Sequence, residues 1–281
     1  FIGGDKMAID ICPFPKLDKI LLATDGSEAA VFATNVAIEI AKPCKSIVYA
    51  ISVAEIPGFA EEFEAFDIMF MEKKAKQFLD EVKKMTDKAQ IKCETIIHTG
   101  PEPHKYIIDE AVKNNVDLII IGRKGKMLGS VGRKVIDNAP CNVLVTPVGA
   151  SLNFDKILIA TDGSVYSQIA AAEAIGTAKR FNSELLIVSV AKRNENIPYA
   201  EESVKMVKEA ADREGVKSQT IVTEGEPFEQ IVDIANKNNV GLIFMGKYGR
   251  KGIEKFFMGS VTEKVIATSA RPVLIVRKKV I

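Results

Sequence analysis

DKILLATDGS at residues 18–27 recurs as DKILIATDGS at residues 155–164, with nine of ten positions identical over a separation of 137 residues. Each copy is a short apolar run followed by Asp-Gly-Ser, which is typical of a buried strand that ends in a tight turn. A later stretch repeats in the same order, GSVGRKVI at 129–136 and GSVTEKVI at 259–266. The chain therefore consists of two copies of one domain.

Apolar runs of strand length alternate in both halves with amphipathic stretches of helical length, the pattern of a parallel sheet with crossover helices. In the first half the predicted strands are Lys19–Ala23, Ser46–Val53, Lys92–His98, Asp117–Ile121 and Val143–Val145. In the second half they are Lys156–Ala160, Glu184–Val190, Ser218–Val222, Leu242–Met245 and Val273–Val276. The first-half helices are predicted over Glu28–Ala41, Glu62–Lys88, Pro103–Asn114 and Val131–Asn138, with counterparts in the second half. The sequence thus predicts an α/β fold: two doubly wound, Rossmann-like, five-stranded parallel sheets with flanking helices, in tandem.

The two domains are predicted over residues 16–147 and 153–281. Between the last strand of one and the first strand of the next lies Pro147–Phe154, where Pro, Gly, Ala and Ser interrupt the strand and helix patterns. Because this linker is short, we expect the halves to pack together. Ser27 and Ser164 each precede an alanine-rich stretch and are predicted to cap a helix N-terminus.

The charges of the chain nearly cancel, with 38 basic and 37 acidic residues and a formal net charge of +1. There is no overall positive field to attract a nucleic acid or an anionic membrane, so neither is an expected partner. The longest apolar runs, such as Leu118–Ile121 and Leu185–Val190, are far shorter than the roughly 20 residues of a membrane span. Phe1–Pro15 lacks the basic and apolar regions of a signal peptide, so we expect a soluble, cytoplasmic protein.

Cysteine and histidine usage argues against a metal cluster. The four cysteines are scattered, without a Cys-x-x-Cys pair: Cys12, Cys44, Cys93 and Cys141. This pattern predicts buried or incidental thiols in a reducing compartment. The two histidines, His98 and His104, offer little material for a histidine-based catalytic centre.

The first half is longer than the second in the segment after its second strand. Asp25 to Gly122 spans 97 positions, whereas Asp162 to Gly246 spans 84. The 13 extra residues fall around an acidic stretch, Phe59–Met71, that also contains large apolar side chains: Phe63, Phe66, Met69, Phe70 and Met71. Apolar clusters at helical spacing usually serve packing, so core packing against the other half is favoured over a partner-binding or lid role.

The stretch GKYGRKGIEKFFMGS at residues 246–260 follows the fourth strand of the second half and has the spacing Gly-x2-Gly-x9-Gly-Ser. A loop between a strand and a helix N-terminus presents unpaired backbone amides to an anion, and glycines let phosphate oxygens approach the backbone. Ser260 adds a hydroxyl donor. Positive charge is predicted from Lys247, Arg250, Lys251 and Lys255. We therefore predict that this loop binds phosphate.

Asp162 and Gly246 both follow or end a predicted strand. In doubly wound sheets, ligands bind at the carboxyl ends of the strands where the strand order reverses. The alternative for Asp162 is a purely turn-forming role in its Asp-Gly-Ser corner. The same residue at the same strand end in both copies favours a binding site.

These residues resemble the ATP-binding branch of the universal stress protein family, and the resemblance extends over both halves, from about Lys16 to the C-terminus. Members of that branch carry an Asp-centred corner after the first strand and Gly-x2-Gly-x9-Gly-Ser/Thr after the fourth, as Asp162 and residues 246–260 do here. The resemblance implies an adenine nucleotide alpha hydrolase-like fold, an adenosine pocket and a phosphate cradle. The ligand would be ATP or AMP, and the participation of Mg²⁺ with ATP stays open.

Applied position by position, the resemblance implies a nucleotide site in the second half. The residues expected beside adenine and ribose are Ala160, Thr161, Asp162, Val190, Met245 and Gly246. Those expected at the phosphates are Gly249, Gly259, Ser260 and Val261. Tyr248 occupies a position that is often basic or histidine in relatives, a departure that weakens one contact.

The first half repeats the adenosine end of this site but has a shorter phosphate loop. The adenosine-side residues are Ala23, Thr24, Asp25, Val53, Ile121 and Gly122. The loop GRKGKMLGS lacks six residues relative to the second half, and the residues expected to bind there are Lys124, Gly125, Gly129, Ser130 and Val131. Arg123 and Lys126 are predicted to add charge. With fewer wrapping amides, the first site is predicted to be weaker, shorter in reach or empty.

The leading hypothesis is a stress-response sensor or regulator in which occupancy by ATP or AMP changes how the protein associates. The motifs Ser-Gly-Gly-x-Asp-Ser, His-x-Gly-His and Gly-x4-Gly-Lys-Ser/Thr are absent, so at most slow ATP hydrolysis is expected. A nucleotide-independent dimerisation scaffold is the third alternative. Fifth strands commonly pair across a dimer in this family. The chain would therefore pair Val143–Val145 with Val273–Val276 internally, as a pseudo-dimer, or form a homodimer edge to edge.

Overall fold

The computed structural model describes residues 12–14, 16–56, 65–250 and 257–277. The repeated apolar runs form β1 (Lys19–Ala23) and β6 (Lys156–Ala160) at the predicted positions. The other first-half elements are α1 (Glu28–Cys44), β2 (Ile47–Glu55), α2 (Ala65–Lys88), β3 (Cys93–Gly100), α3 (Pro103–Lys113), β4 (Leu118–Arg123), α4 (Ser130–Asn138) and β5 (Asn142–Pro147). Those of the second half are α5 (Val165–Phe181), β7 (Glu184–Ala191), α6 (Ile197–Arg213), β8 (Ser218–Glu224), α7 (Pro227–Lys237), β9 (Leu242–Gly246), α8 (Ser260–Thr268) and β10 (Val273–Val276).

The strands of the two halves form one sheet of ten, in the order β3-β2-β1-β4-β5-β10-β9-β6-β7-β8. Pairing within each half is parallel, and β5 and β10 pair antiparallel, with Val145 opposite Val273 and Val143 opposite Ile275. The predicted α/β class, with five parallel strands and flanking helices in each half, is confirmed. The two five-stranded halves of the sheet are joined through their edge strands, β5 of the first half and β10 of the second.

The sheet is buried on both faces, which explains why its central strands are almost continuously apolar. In β1, Leu21 and Leu22 point to opposite faces and both are fully buried. Leu22 belongs to a cluster on the face covered by α1, α2, α5 and α6, and Leu21 to a cluster on the face covered by α3, α4, α7 and α8. Side chains that alternate between two covered faces bury the apolar area that stabilises such a sheet.

The caps predicted for the first helix of each half are confirmed. The Ser27 hydroxyl oxygen accepts the backbone N–H of Ala30 at 3.3 Å, and that of Ser164 accepts the N–H of Ser167 at 3.2 Å. Each cap satisfies one of the amides that have no partner inside the helix, and it fixes where the chain turns from strand to helix. The two turns therefore have the same form in both halves.

Cys12 and Cys44 form a disulfide, with Cα atoms 4.4 Å apart. The prediction of four thiols is wrong for this pair; Cys93 and Cys141 are buried thiols. Spacing could not reveal the pair, because the two residues are 32 positions apart and meet only where the segment before β1 folds back on the end of α1. Disulfides are rare in reducing compartments, so the cysteines no longer support the expectation of one.

The long first-half segment is described from residue 65 onward, and Phe59 to Glu64 and the side chain of Phe66 lie outside the described residues. Met69 and Phe70, in the first turns of α2, are 67% and 51% exposed. The prediction that these two side chains pack in a core against the other half is wrong, because α2 packs on β2 and β3, at the edge of the sheet farthest from the second half. In the described ranges, no helix is both long and apolar enough to cross a membrane.

Candidate functional site

A cavity of about 630 Å³ opens at the carboxyl ends of β6, β7 and β9. Its size falls within the range of about 300–1,000 Å³ that is typical of sites for small molecules and cofactors. All eleven residues predicted for the second site line it: Ala160, Thr161, Asp162, Val190, Met245, Gly246, Tyr248, Gly249, Gly259, Ser260 and Val261. The strand ends bring these residues together although they are spread over a hundred positions of sequence.

One end of the cavity is apolar and the other is polar. The apolar end is lined by side chains that pack together in one apolar cluster: Val188, Val190, Ile231 and Met245. At the polar end lies the N-terminus of α8, which begins at Ser260 with no side-chain cap. Since the first amides of a helix have no partner within it, this end presents N–H donors and a positive dipole to an anion. The cavity thus suits a ligand with a flat apolar part and an anionic part.

Asp162 joins the turn after β6 to the loop after β9. Its Oδ1 accepts the backbone N–H of Ser164 at 3.0 Å, and its Oδ2 accepts that of Arg250 at 2.7 Å. The Gly249 backbone passes so close that a Cβ there would lie 2.7 Å from Oδ2. The carboxylate therefore holds the glycine loop against the strand end. Both roles considered for Asp162, turn-forming residue and site residue, are compatible with these bonds.

The end of the loop is fixed by bonds to β9 and the residue after it. The Gly259 N–H donates to the Lys247 carbonyl at 2.9 Å, and the Thr262 hydroxyl donates to the Gly246 carbonyl at 3.0 Å. The amide of Gly259 is thus engaged within the loop. The amides of Ser260 and Val261, at the start of α8, have no partner within the helix and are available to an anion.

Helix α6 supplies side chains to the cavity that the sequence analysis missed. Arg250 donates from Nη2 to the Ser203 hydroxyl at 3.0 Å, and its guanidinium lies 5.6 Å from the ring centre of Tyr199. Tyr199 and Ser203 are four positions apart, so they share one face of α6. The sequence signal was a small polar residue within an otherwise apolar stripe of a helix, which is too common to single out.

Lys247 is buried and directed away from the loop. Its side chain is 3% exposed, and Nζ donates to the Asp137 carbonyl of the first half at 2.5 Å. Burial, together with the positive charge of Arg277, lowers the pKa of Lys247 to about 8, against a smaller opposing effect of Asp137. The prediction that Lys247 supplies charge to the loop is therefore wrong. Lys251 and Lys255 lie outside the described residues.

The pKa of Lys247 predicts a pH dependence of stability. Because its folded-state pKa of about 8 lies below the ordinary value of 10.5, the protonated side chain opposes folding below pH 8. This cost falls as the pH rises toward 10.5, since the folded chain then binds fewer protons than the unfolded chain. Relative to Lys247→Met, the free energy of unfolding should rise by about 2 kcal/mol between pH 8 and pH 10. Urea denaturation at the two pH values measures it, and a constant difference would contradict it.

In the first half, the predicted adenosine-side residues also lie near the carboxyl ends of strands. These strands are β2, β1 and β4, which are adjacent and parallel and therefore end at the same edge of the sheet. There the ring of Phe78 packs on the Asp-Gly-Ser corner, so close that a Cβ on Gly26 would lie 2.1 Å from it. Phe78 and Ser203 occupy corresponding positions in the two halves. Phe78 lies 22 positions before Gly100, the glycine at the end of β3, and Ser203 lies 22 positions before Gly225, the glycine that follows β8. A phenyl ring thus stands where the second half has a hydroxyl that faces its cavity.

The charge predicted from Arg123 in the first-half loop is not available there. Arg123 is buried, and its guanidinium donates to the carbonyls of Ala267 at 2.8 Å and Ser269 at 2.6 Å, in the second half, and to that of Gly125. The side chains of Lys124 and Lys126 are exposed, as are Gly125, Gly129 and Ser130. The first-half loop therefore keeps two exposed lysines beside the start of α4.

Among the described residues that line the cavity, Asp162 is the acidic one. Within the described ranges, no group of three His, Cys, Asp or Glu side chains is arranged to hold a metal ion. Each carboxylate oxygen of Asp162 already accepts a backbone amide.

Comparison with known proteins agrees with the fold and with the repeat. The model of the universal stress protein family matches residues 16–147 and, a second time, residues 153–277. The chain belongs to the universal stress protein family. Because the family model matches both halves, the chain is a tandem member of the family, and the resemblance to this family predicted from the sequence is confirmed.

Some relatives of this universal stress protein match about half of the chain, and others match nearly all of it. A universal stress protein of Methanocaldococcus jannaschii is 36% identical over 141 residues, covering 44% of this chain and 83% of the relative. One of Bacillus subtilis is 33% identical over 147 residues, covering 44% of this chain and 99% of the relative. The crystal structure of a universal stress protein from Archaeoglobus fulgidus has a TM-score of 0.77 at 23% identity, covering 95% of this chain and 98% of that one. That structure shares the fold of the full tandem.

Proposed function

We propose that the second half of this universal stress protein binds an adenine nucleotide, ATP or AMP, and that occupancy of this site regulates the protein in a stress response. The observation that carries the proposal is the cavity at the ends of β6, β7 and β9, which has an apolar end and a helix N-terminus at its other end. A purine needs the first feature and a phosphate the second.

In this proposal, adenine lies against the apolar end and the backbone of Val190, with ribose beside Asp162 and Gly246. The phosphates lie at the start of α8, where the amides and hydroxyl of Ser260 and the amide of Val261 donate to them. Arg250 stands at the mouth of the cavity and adds a positive charge.

The first half is proposed to bind nucleotide more weakly or not at all. Its loop has three residues between Gly125 and Gly129, where the second half has nine between Gly249 and Gly259. Phe78 packs on the corner where Ser203 faces the cavity in the second half. Both differences remove space or donors from the ligand, and both support one strong site per chain.

The pairing of β5 with β10 supports a further proposal, that the two halves act as an internal pseudo-dimer. With these two edges paired to each other, the chain has no exposed fifth strand for a second copy to extend. A homodimer through other surfaces is the alternative. Sedimentation with and without ATP would distinguish a monomer from a dimer that depends on nucleotide.

Titration of the full chain with ATP, AMP and GTP tests the proposed function. We expect about one adenine nucleotide per chain and weaker binding of GTP, because the carbonyl and additional amino group of guanine would lose their hydrogen bonds to water against an apolar lining. Mass spectrometry of nucleotide that co-purifies with the chain gives an independent readout. No measurable binding of ATP, AMP or adenosine would overturn the proposal, and two equal sites would overturn the difference between the halves.

A further inference from the structure

The phosphate loop of the second half is anchored at both ends by one residue of the first half. Asp137 lies in the last turn of α4, and its side chain is 7% exposed. Its carboxylate Oδ1 accepts the backbone N–H of Met258 at 2.7 Å, and its carbonyl accepts Lys247 Nζ at 2.5 Å. Lys247 directly follows β9, and Met258 lies two residues before the start of α8, so both ends of the loop are bonded to Asp137.

The bond to Met258 acts close to the donors that the proposed function uses. Met258 is followed by Gly259, whose amide is bonded to the Lys247 carbonyl, and then by Ser260, the first residue of α8. A charged acceptor at 2.7 Å fixes the peptide plane between Phe257 and Met258, shortly before the start of this helix. The position of the Ser260 and Val261 amides thus depends on the carboxylate of Asp137.

The turn that carries Asp137 is itself held in place from the second half. Arg277 donates from Nη1 to the Ile136 carbonyl at 2.9 Å and to the Asp137 carbonyl at 3.3 Å. Its backbone N–H donates to the Asn142 side-chain oxygen at 3.0 Å. These bonds leave the end of α4 little freedom to move relative to the loop.

The second half does not offer an equivalent carboxylate to the loop of the first half. By the repeat, Ala267 in α8 corresponds to Asp137, and Leu128 corresponds to Met258. Arg123, the counterpart of Lys247, does reach across to the Ala267 carbonyl at 2.8 Å. An alanine has no side-chain acceptor for the Leu128 amide, so only the second-half loop receives this contact from the other half.

We infer that Asp137 of the first half is a positioning residue for the phosphate-binding loop of the second half, so that the stronger nucleotide site is completed by the other copy of the domain. The inference rests on the proposed function. It assigns the first half a role that does not require it to bind nucleotide itself.

The inference is tested in the full chain by titrating Asp137→Ala and Asp137→Asn with ATP and with adenosine. Asp137→Ala removes the acceptor for the Met258 amide and should weaken ATP binding about tenfold. Asp137→Asn keeps an acceptor oxygen at the same position and should stay within about threefold of wild type. Adenosine has no phosphate, so its affinity should change less than about twofold in either variant. Asn138→Ala is the control, since this neighbouring side chain is exposed and bonds only within α4, to the Lys134 carbonyl, among the described residues.

Equal losses of ATP and adenosine affinity in Asp137→Ala would overturn the inference, because they would indicate general disruption. An unchanged ATP affinity would overturn it as well. If Asp137→Ala does not fold, Asp137→Ser replaces it, since the serine hydroxyl is too short to reach the Met258 amide. If wild type binds neither ATP nor adenosine, the proposed function fails, whereas binding by wild type with no effect at Asp137 refutes the inference alone.

Discussion

Replacing Asp162 by alanine is expected to weaken ATP binding about a hundredfold. The variant loses a charged acceptor for two backbone amides, those of Ser164 and Arg250, at 3.0 and 2.7 Å. Hydrogen bonds to charged groups contribute about 1.5–3 kcal/mol each, and about 2.7 kcal/mol corresponds to a hundredfold change in the dissociation constant. Without this carboxylate, the glycine loop is no longer held against the end of β6. Calorimetric titration of the full chain measures the effect.

The repeat supplies a matched control for this prediction. Asp25 is the counterpart of Asp162, and among the described residues its carboxylate accepts only the amide of Ser27, at 3.0 Å. Asp25→Ala should leave the affinity of the strong site within about twofold, because no loop depends on this carboxylate. If Asp25→Ala weakened ATP binding as much as Asp162→Ala does, the assignment of the strong site to the second half would be wrong.

Gly246→Ala is expected to lower the free energy of unfolding by about 3 kcal/mol. Gly246 ends β9, and a Cβ there would lie 2.7 Å from the carbonyl carbon and 2.8 Å from the carbonyl oxygen of Tyr166. These neighbours belong to the backbone of α5 and cannot rotate away, so either the helix or the strand must shift. Denaturant unfolding followed by circular dichroism measures the loss.

Gly259→Ala is the control for the effect of adding a methyl group. A Cβ at Gly259 would have its nearest neighbour, the Lys247 carbonyl oxygen, at 3.4 Å, and its φ of −62° suits alanine. Its stability should stay within about 1 kcal/mol of wild type. Equal unfolding midpoints for the two variants would show that the close approach of β9 to α5 is not what requires glycine at Gly246.

The same close approach occurs in the first half, where a Cβ on Gly122 would lie 2.4 Å from the Ala29 carbonyl oxygen of α1. Both strand-end glycines are predicted from the family resemblance to lie on the ribose side of a ligand. The structure gives each of them a packing role as well. The two roles coincide because the helix that packs on the strand end also borders the site.

Most of the fold could be predicted because it depends on local signals. Apolar runs of four to nine residues became strands, and Ser27 and Ser164 became caps as expected. The disulfide between Cys12 and Cys44 could not be predicted, because it depends on how a terminal segment folds back on α1. The exposure of Met69 and Phe70 could not be predicted either, since periodicity shows which side chains share a face of a helix but not whether another element covers that face.

The candidate site divides in the same way. Asp162 and the loop glycines could be predicted as site residues from turn chemistry and from their spacing in the sequence. The directions of the long basic side chains could not. Lys247 and Arg123 follow strands in loops whose sequences predict phosphate binding. Both side chains instead donate hydrogen bonds to backbone carbonyls of the opposite half. A long, flexible basic side chain can point in several directions, so its partner is decided by what the fold brings near it.

The sequence by itself determined the repeat, which a comparison of the two halves reveals. It also determined the α/β class, the approximate positions of the strands and the two Asp-Gly-Ser corners, because each of these follows from neighbours a few positions apart. Only the tertiary structure decided that β5 pairs with β10, that Phe78 stands where Ser203 does in the other half, and that Asp137 contacts both ends of the second-half loop. The physical reason is that these contacts join residues far apart in the chain. Their geometry is set by how two packed halves meet, which no local pattern encodes.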